Sequence, residues 1–232
     1  MTTAAQVKRA MKPLIEKYPD LALVGRAIFL KPVRHLVHSV IIDRTGSAED
    51  FRPYWAINET FDIRRSIGLS WGREIYPPQK GLWLWSDPTS IPTLLTIIEG
   101  EALPRLRAFQ TIAQVVEALP DLDNRYEKWS KPPLEFWPDR KIVFEVALGD
   151  LTSARAIAAK MMQYWVAPPA HFKAWDREQW QRLVMLARLL DDDDRAGLAA
   201  LLHEWEHTTV RNLRIEHLWE PTPFPLEIEP VR

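Results

Sequence analysis

Short β-type segments follow one another through residues 21–75, and no helical segment separates them. They lie at 21–30, 35–43, 52–61 and 67–75. Turn residues such as Lys31-Pro32 and Arg44-Thr45-Gly46-Ser47 divide them. Neighbouring parallel strands need a long crossover connection, usually a helix, so this spacing predicts an antiparallel meander. The segment Gly81-Leu82-Trp83-Leu84-Trp85 is a candidate for one further short strand.

Helical patterns flank the β-type segments on both sides. Apolar residues at helical spacing predict a helix over residues 4–18, which would cover one face of the sheet. Asp87 is a favourable N-cap and Pro88 a favourable first helical residue, and the pattern stays helical after them. The sequence therefore predicts an α+β chain. An antiparallel β-meander domain covered by one helix would occupy residues 1–86, and an α-helical region would occupy residues 87–232.

The helical region contains two similar segments. Helical hairpins are predicted at about 139–165 and 176–212, and an offset of 42 residues aligns Asp150 with Asp192. Such hairpins would stack as the repeats of an α-solenoid do. The Pro-rich segment after them, residues 220–226, is predicted to be extended and to lie over the surface.

Composition excludes several classes of function. The 232-residue chain has no cysteine, which excludes disulfides, thiol catalysis and cysteine-ligated metals. Its formal net charge is −1, so nothing marks the whole chain as a nucleic-acid or membrane-surface binder. No apolar run approaches the ~20 residues of a membrane span, and the N-terminus lacks the apolar region of a secretory signal. We expect a cytoplasmic protein with no membrane partner and no cofactor.

The sequence His203-Glu204-Trp205-Glu206-His207 matches the zinc-peptidase pattern. Residues four apart share a helix face, so His203 and His207 could bind one Zn²⁺ while Glu204 activates its water. Three observations weigh against this interpretation. Glu206 puts a charge at a position usually uncharged, and no third ligand follows at a familiar spacing. Both histidines also fall nearly opposite the apolar face of their helix, which predicts a solvated surface for them.

A second catalytic pattern is Gly68-Leu69-Ser70-Trp71-Gly72, which matches a serine nucleophile elbow. That elbow requires a buried strand before the serine and a helix after it. The preceding residues 62–67 are too charged for such a strand, and Pro77-Pro78 prevents a helix after it. A strand with a glycine at each end is the favoured interpretation.

The N-terminal part of the chain is basic. Residues 1–80 contain thirteen Lys and Arg against eight Asp and Glu, a local charge of +5. Aromatic residues among these cations could stack on RNA bases, but no RNA-binding signature is present, so nucleic acid is a disfavoured partner. An acidic protein partner is the alternative. The partner-binding candidates are Arg64, Arg65, Tyr54 and Trp55.

Several N-terminal blocks resemble an uncharacterised bacterial family. They are Lys31-Pro32-Val33-Arg34-His35, Asp43-Arg44, Tyr54-Trp55-Ala56-Ile57 and residues 68–75. The resemblance covers about the first 85 residues and a vaguer helical remainder. It implies a small α+β domain followed by helices, with residues 68–72 in a strand region, and it implies no activity.

The sequence favours a non-enzymatic protein-interaction or accessory protein, comparable to an immunity protein by analogy of size and class alone. The alternative is a zinc-dependent hydrolase that uses His203, His207 and Glu204. The sequence names no partner, substrate or oligomeric state.

Overall fold

The structure, a computed structural model, describes residues 1–69, 71–79, 81–122, 134, 137–162 and 173–228. The fold is α+β, with an N-terminal antiparallel sheet and a helical C-terminal half. The strands are β1 (Leu21–Val24), β2 (Ala27–Leu30), β3 (Leu36–Arg44), β4 (Asp50–Glu59), β5 (Gly72–Glu74) and β6 (Trp83–Leu84). The helices are α1 (Ala4–Lys17), α2 (Ser90–Ile97), α3 (Leu103–Ala108), α4 (Ile112–Leu122), α5 (Pro138–Leu148), α6 (Leu151–Met162), α7 (Ala174–Asp191) and α8 (Arg195–Leu213).

The strands form an antiparallel sheet in the order β1-β2-β3-β4-β5, as the meander prediction requires. β6 does not extend this order, because it pairs with β4 at Asp50 and Phe51, beyond the part of β4 that β5 occupies. The β-type segment at 67–75 yields a strand of only three residues. β4 therefore has β3 along one edge and two very short strands along the other.

The predicted β-type segment at 21–30 is a hairpin of two strands. Gly25 has φ +64°, in the left-handed region that glycine enters without steric cost, and it forms a two-residue turn with Arg26. Val24 and Ala27 are the pair that closes this turn. The turn makes β1 a short strand at the end of the sheet.

Apolar side chains cover both faces of the sheet. On one face, Val7, Met11 and Leu14 of α1 are almost completely buried and belong to the same core cluster as Ile28 and Val40. A fully buried side chain of this size contributes ~2 kcal/mol, so α1 is firmly held. The opposite face has a smaller cluster that joins strand residues to the end of α8, formed by Ala27, Phe29, Val33, Val37, Val210 and Ile215.

The helical region that follows Pro88 is interrupted before residue 112. A π-helical turn at Ile98–Ala102 joins α2 to α3, so Gly100 does not end the helical path there. The chain leaves helical geometry at Phe109–Thr111, and α4 begins at Ile112. The Gln114 side chain explains this new start, because its Oε1 accepts hydrogen bonds from the amides of Gln110 and Thr111.

Two helical hairpins, α5–α6 and α7–α8, follow in the C-terminal half. Asp150 accepts a hydrogen bond from Ser153 N–H at 2.9 Å, and Asp194 accepts the equivalent bond from Gly197 N–H at 2.8 Å. The capping residues are thus 44 positions apart. The predicted pairing of Asp150 with Asp192 is wrong by two residues, because the turn before α8 is longer.

The hydrophobic core is continuous between the two halves. One cluster of buried residues contains side chains from Val7 in α1 to Leu226 near the C-terminus. The C-terminal segment lies at the surface as predicted, with Glu220, Pro221, Pro223 and Pro225 exposed, but Phe224 and Leu226 are fully buried and anchor it in the core. In the described part of the chain, no helix has both the length and the apolar character needed to cross a bilayer.

Candidate functional site

The two histidines of the zinc-peptidase-like motif contact different acidic residues. His203 Nε2 lies 2.9 Å from Glu227 Oε2, whereas His207 Nε2 lies 3.7 Å from Glu216 Oε1. Glu204 is exposed. Within the described residues, no three His, Asp or Glu side chains are arranged to hold a metal ion together. The motif therefore makes two separate contacts and does not converge on one point.

Glu206, the fourth residue of the motif, is the centre of a buried polar cluster. Its side chain is 0% exposed, and its Oε1 accepts a hydrogen bond from Thr60 Oγ1 at 2.6 Å. The same oxygen lies 2.9 Å from His35 Nδ1, and Oε2 lies 3.1 Å from His203 Nδ1. We call Glu206, His35, Thr60 and His203 the Glu206 cluster. The predicted solvated face is wrong for His203, because the C-terminal segment covers it.

Phe224 attaches the C-terminal segment to this cluster. Its ring stacks on His35 with 4.0 Å between centroids, and its centroid lies 4.8 Å from that of His203. Glu227 Oε2, which faces His203, also accepts a hydrogen bond from Phe224 N–H at 2.7 Å. The two histidines therefore hold one aromatic ring between them, and they also share the buried carboxylate of Glu206.

Acceptor atoms surround both imidazoles. The two ring nitrogens of His203 face carboxylate oxygens, and those of His35 face Glu206 and the carbonyl oxygen of Pro223 at 3.2 Å. An ionised carboxylate and a carbonyl can only accept hydrogen bonds. Both nitrogens of each ring therefore make polar contacts, and Thr222 Oγ1 also lies 3.3 Å from His35 Nε2. The cluster is suited to holding the chain terminus in place.

A second buried cluster surrounds Glu59. Arg140 Nε donates to Glu59 Oε1 at 2.7 Å, and Arg64 donates to the same carboxylate. The guanidinium of Arg140 also lies 3.5 Å from the centre of the Trp71 ring. Burial favours a high pKa for Glu59, but the two guanidiniums, Arg140 more than Arg64, outweigh it and lower the pKa to about 2. We call Glu59, Arg64, Arg140 and Asp62 the Glu59 cluster.

Asp62 has an opposite pKa shift within the same cluster. Burial, followed by the negative charge of Glu59, raises the pKa of Asp62 to about 6. The guanidinium of Arg64 lies 3.8 Å from the Asp62 carboxylate, but it also forms an ion pair with Glu59. Thr60 lies between the two acids in sequence and donates to Glu206. Residues 59–62 therefore connect the two buried clusters.

The structure separates the four predicted partner-binding residues. Arg64 is mostly buried against Glu59, and Trp55 is buried on the α1 side of the sheet. Tyr54 is partly exposed and donates to Glu74 at 3.3 Å. Arg65 is 69% exposed and pairs with Glu178. Arg64 and Trp55 therefore have little exposed surface to offer a partner. A partner contact through Arg65 or Tyr54 stays a prediction.

Ser70 of the nucleophile-elbow pattern lies outside the described residues. Its neighbour Gly72 has a structural reason to be glycine, because a Cβ there would lie 2.0 Å from the carbonyl oxygen of Trp55 on the paired strand. β5 approaches β4 too closely for any larger residue. The pattern therefore marks a strand contact at this position.

A groove runs between α1 and the β1–β2 hairpin. It has a volume of about 790 Å³, compared with about 420 Å³ for a cavity on the opposite sheet face that Arg65 lines. We call it the α1–β1 groove. Its lining residues are Ala4, Ala5, Lys8, Arg9, Lys12, Ile15, Glu16, Leu23 and Gly25. Small and apolar residues make up most of this lining, and its three cations, Lys8, Arg9 and Lys12, are exposed; we call these three its basic rim.

No protein-family model, curated protein or solved structure matches this chain. The resemblance stated from the N-terminal blocks therefore stays an expectation. The site residues that sequence analysis missed are His35 and Glu206 as partners, and the rim of the α1–β1 groove. The spacing of Lys8, Arg9 and Lys12 on one helix was a visible signal for the rim. No local signal could pair His35 with Glu206, which is 171 positions away.

Proposed function

We propose that this chain is a non-catalytic protein-binding protein, and that the α1–β1 groove receives an acidic, partly apolar segment of its partner. The observation that carries the proposal is the combination of mostly small and apolar lining residues with three exposed cations in a cavity of about 790 Å³. Protein-interaction sites combine an apolar centre with a polar edge in the same way.

The charges of the groove favour an acidic partner. Lys8, Arg9 and Lys12 are all exposed along it, and Glu16 is the one acid among its lining residues. Glu16 lies 3.5 Å from Lys12, so it offsets at most one of the three cations. The positive end of the α1 dipole adds to the same field at Ala4.

The groove walls are preformed. Thr3 and Gln6 form a capping box at the start of α1, in which Gln6 N–H donates to Thr3 Oγ1 at 3.2 Å and Thr3 N–H donates to Gln6 Oε1 at 2.9 Å. Val7, Met11 and Leu14 anchor the opposite side of the helix in the core. A partner would therefore bind without a large ordering cost on this side of the interface.

No comparable observation favours the zinc-hydrolase alternative. His203 contacts Glu206 and Glu227, and His207 contacts Glu216, so the two rings address different partners. An accessory role in a larger bacterial assembly belongs to the protein-binding class. That narrower role rests on analogy of size and class alone.

Fluorescence anisotropy with two labelled peptides tests the proposal. One peptide has valines at its centre and glutamates at both ends, and the other has lysines in place of the glutamates. We expect the acidic peptide to bind, and to bind less tightly as salt is added. Reversing the charges of Lys8 and Arg9 to Glu should weaken binding about tenfold or more, since two attractions become repulsions.

Lys160→Glu is the matched control, because Lys160 is an exposed lysine on α6, outside the groove. It changes the net charge in the same direction and should leave the affinity within about twofold of the original. The proposal is wrong if the acidic peptide does not bind, if both peptides bind equally, or if Lys160→Glu weakens binding as much as the groove variant does.

A further inference from the structure

We propose that the occupant of the α1–β1 groove binds as an added β-strand along the free edge of β1. This inference rests on the proposed function and names the conformation that the acidic segment adopts. Strand addition to an open sheet edge is an established mode of peptide recognition, in which main-chain hydrogen bonds supply affinity and pockets for alternate side chains supply specificity.

β1 has one unpaired edge in the described sheet. It is the terminal strand in the order β1-β2-β3-β4-β5, and β2 is its one neighbour there. The groove lies at this end of the sheet, because Leu23 of β1 and Gly25 of the adjoining turn are among its lining residues. A segment in the groove is therefore next to an open row of backbone groups.

The register of the hairpin identifies the available backbone atoms. Val24 and Ala27 flank a two-residue turn, so they form a hydrogen-bonded pair. Hydrogen-bonded and non-hydrogen-bonded pairs alternate along an antiparallel ladder, which makes Leu23 and Ile28 a non-hydrogen-bonded pair. The N–H and C=O of Leu23 consequently point away from β2.

The neighbouring outward amide is already used. Leu21 N–H donates to the carbonyl oxygen of Tyr18 at 3.0 Å. For Leu23, the described residues supply no backbone hydrogen bond of this kind outside the strand ladder. Leu23 thus offers both a donor and an acceptor at the point where its side chain lines the groove.

The length of the groove fits one short strand. Its lining residues on α1 extend from Ala4 to Glu16, a rise of about 18 Å at ~1.5 Å per residue. An extended segment of about five or six residues covers the same distance at ~3.3 Å per residue. That length suits a segment with an apolar centre over Leu23 and Ile15 and acidic residues against the cations.

A helical occupant fits these observations less well. Anything that covers the β1 edge removes Leu23 N–H and C=O from water, and buried backbone groups require hydrogen-bond partners. An added strand supplies both partners. A helix has already satisfied its own backbone groups internally, so it would leave the Leu23 groups unpaired.

Alternate N-methylation of the acidic peptide provides the test. In an extended strand, successive amides point to opposite sides, so only one alternate set faces β1. We expect methylation of one set to weaken binding at least tenfold, and methylation of the other set to change it by less than about threefold. We also expect amide hydrogen exchange at Leu23 to slow on binding, while exchange at exposed Gly46 does not change.

The outcomes separate this inference from the proposed function. If the acidic peptide does not bind, or binds without dependence on Lys8 and Arg9, the proposed function fails. If it binds with that dependence, but both methylated sets bind alike or Leu23 exchange is unchanged, strand addition is refuted and the groove remains the binding site. Tight binding of a peptide cross-linked into a helix, without Leu23 protection, would also refute strand addition.

Discussion

Replacing Glu206 with Gln tests whether the buried carboxylate stabilises the fold. The change keeps the side-chain shape but replaces one acceptor oxygen with an NH₂ group. Oε1 contacts Thr60 and His35, and Oε2 contacts His203, so either orientation of the amide replaces a carboxylate oxygen with NH₂ at one of these buried contacts.

The expected loss of unfolding free energy is about 3 kcal/mol, the upper end of the range for leaving buried hydrogen-bonding groups without a matched partner. Glu204→Gln is the matched control, since it makes the same chemical change two residues away on an exposed position of α8. An exposed substitution of this type should change stability by less than about 0.5 kcal/mol.

Urea unfolding followed by circular dichroism measures the difference. With an m-value of about 2–3 kcal/mol/M, Glu206→Gln should lower the unfolding midpoint by about 1 M or more, while Glu204→Gln leaves it nearly unchanged. The reasoning is refuted if the two variants unfold at the same urea concentration. It is also refuted if Glu204→Gln is the less stable of the two.

Four further predictions concern stability. Gly72→Ala should lower the free energy of unfolding, measured with urea, by about 2 kcal/mol or more, because the new Cβ would lie 2.0 Å from the Trp55 carbonyl oxygen. Gly100→Ala is the control: its Cβ would have no atom within 4 Å, and the variant should be more stable by up to about 1 kcal/mol. The pKa of Asp62 is raised to about 6 in the folded protein from a usual value of 3.8, so folding is coupled to the binding of a proton at this residue. The free energy of unfolding should therefore fall as pH rises from about 4 to 6. Asp62→Asn should remove that fall in a pH series of thermal melts. Burial lowers the pKa of His38 from 6.5 to about 4, so the folded protein binds fewer protons there than the unfolded chain does. Stability should therefore be lost as pH falls from 6.5 towards 4. His38→Gln should weaken this acid-side dependence in the same series of melts. Arg140→Lys keeps the charge but loses the paired N–H donors to Glu59 and the contact with the Trp71 ring, so it should lower the free energy of unfolding by about 2 kcal/mol. A loss no greater than that of an exposed Arg→Lys change would contradict the role of the Glu59 cluster.

The elements that sequence analysis located correctly depend on local signals. β3 and β4 lie within one or two residues of their predicted limits, because alternation and turn residues are properties of neighbouring positions. α1 begins at the predicted residue and ends one residue early. The break between α3 and α4 was missed, since Gln114 acts on amides before it and no simple periodicity records that contact.

The buried clusters depend on contacts that no local pattern encodes. A helical wheel assigned the motif histidines to solvent because it counts apolar residues on one helix alone. The buried side chain of Glu206 contacts Thr60, which lies 146 positions earlier in the chain, and His35. Arg64 was assigned to a surface for the same reason, although Glu59 and Thr209 hold it inside. Charge in a sequence indicates exposure only when no distant partner compensates it.

The position of the C-terminal segment has a consequence for folding during synthesis. Val33 N–H donates to the carbonyl oxygen of Leu218, and Glu220 N–H donates to that of Val33, so the end of the chain completes a region next to β2 and β3. During synthesis from the N-terminus, the sheet leaves the ribosome with His35 and Phe61 uncovered. Phe144 of α5 and Glu206 of α8 reach them first, and Phe224 adds the last of these contacts. A stop codon shortly before Phe224 would yield a polypeptide that contains strands β1–β6 and helices α1–α8, yet one that quality-control proteases should recognise as incompletely packed.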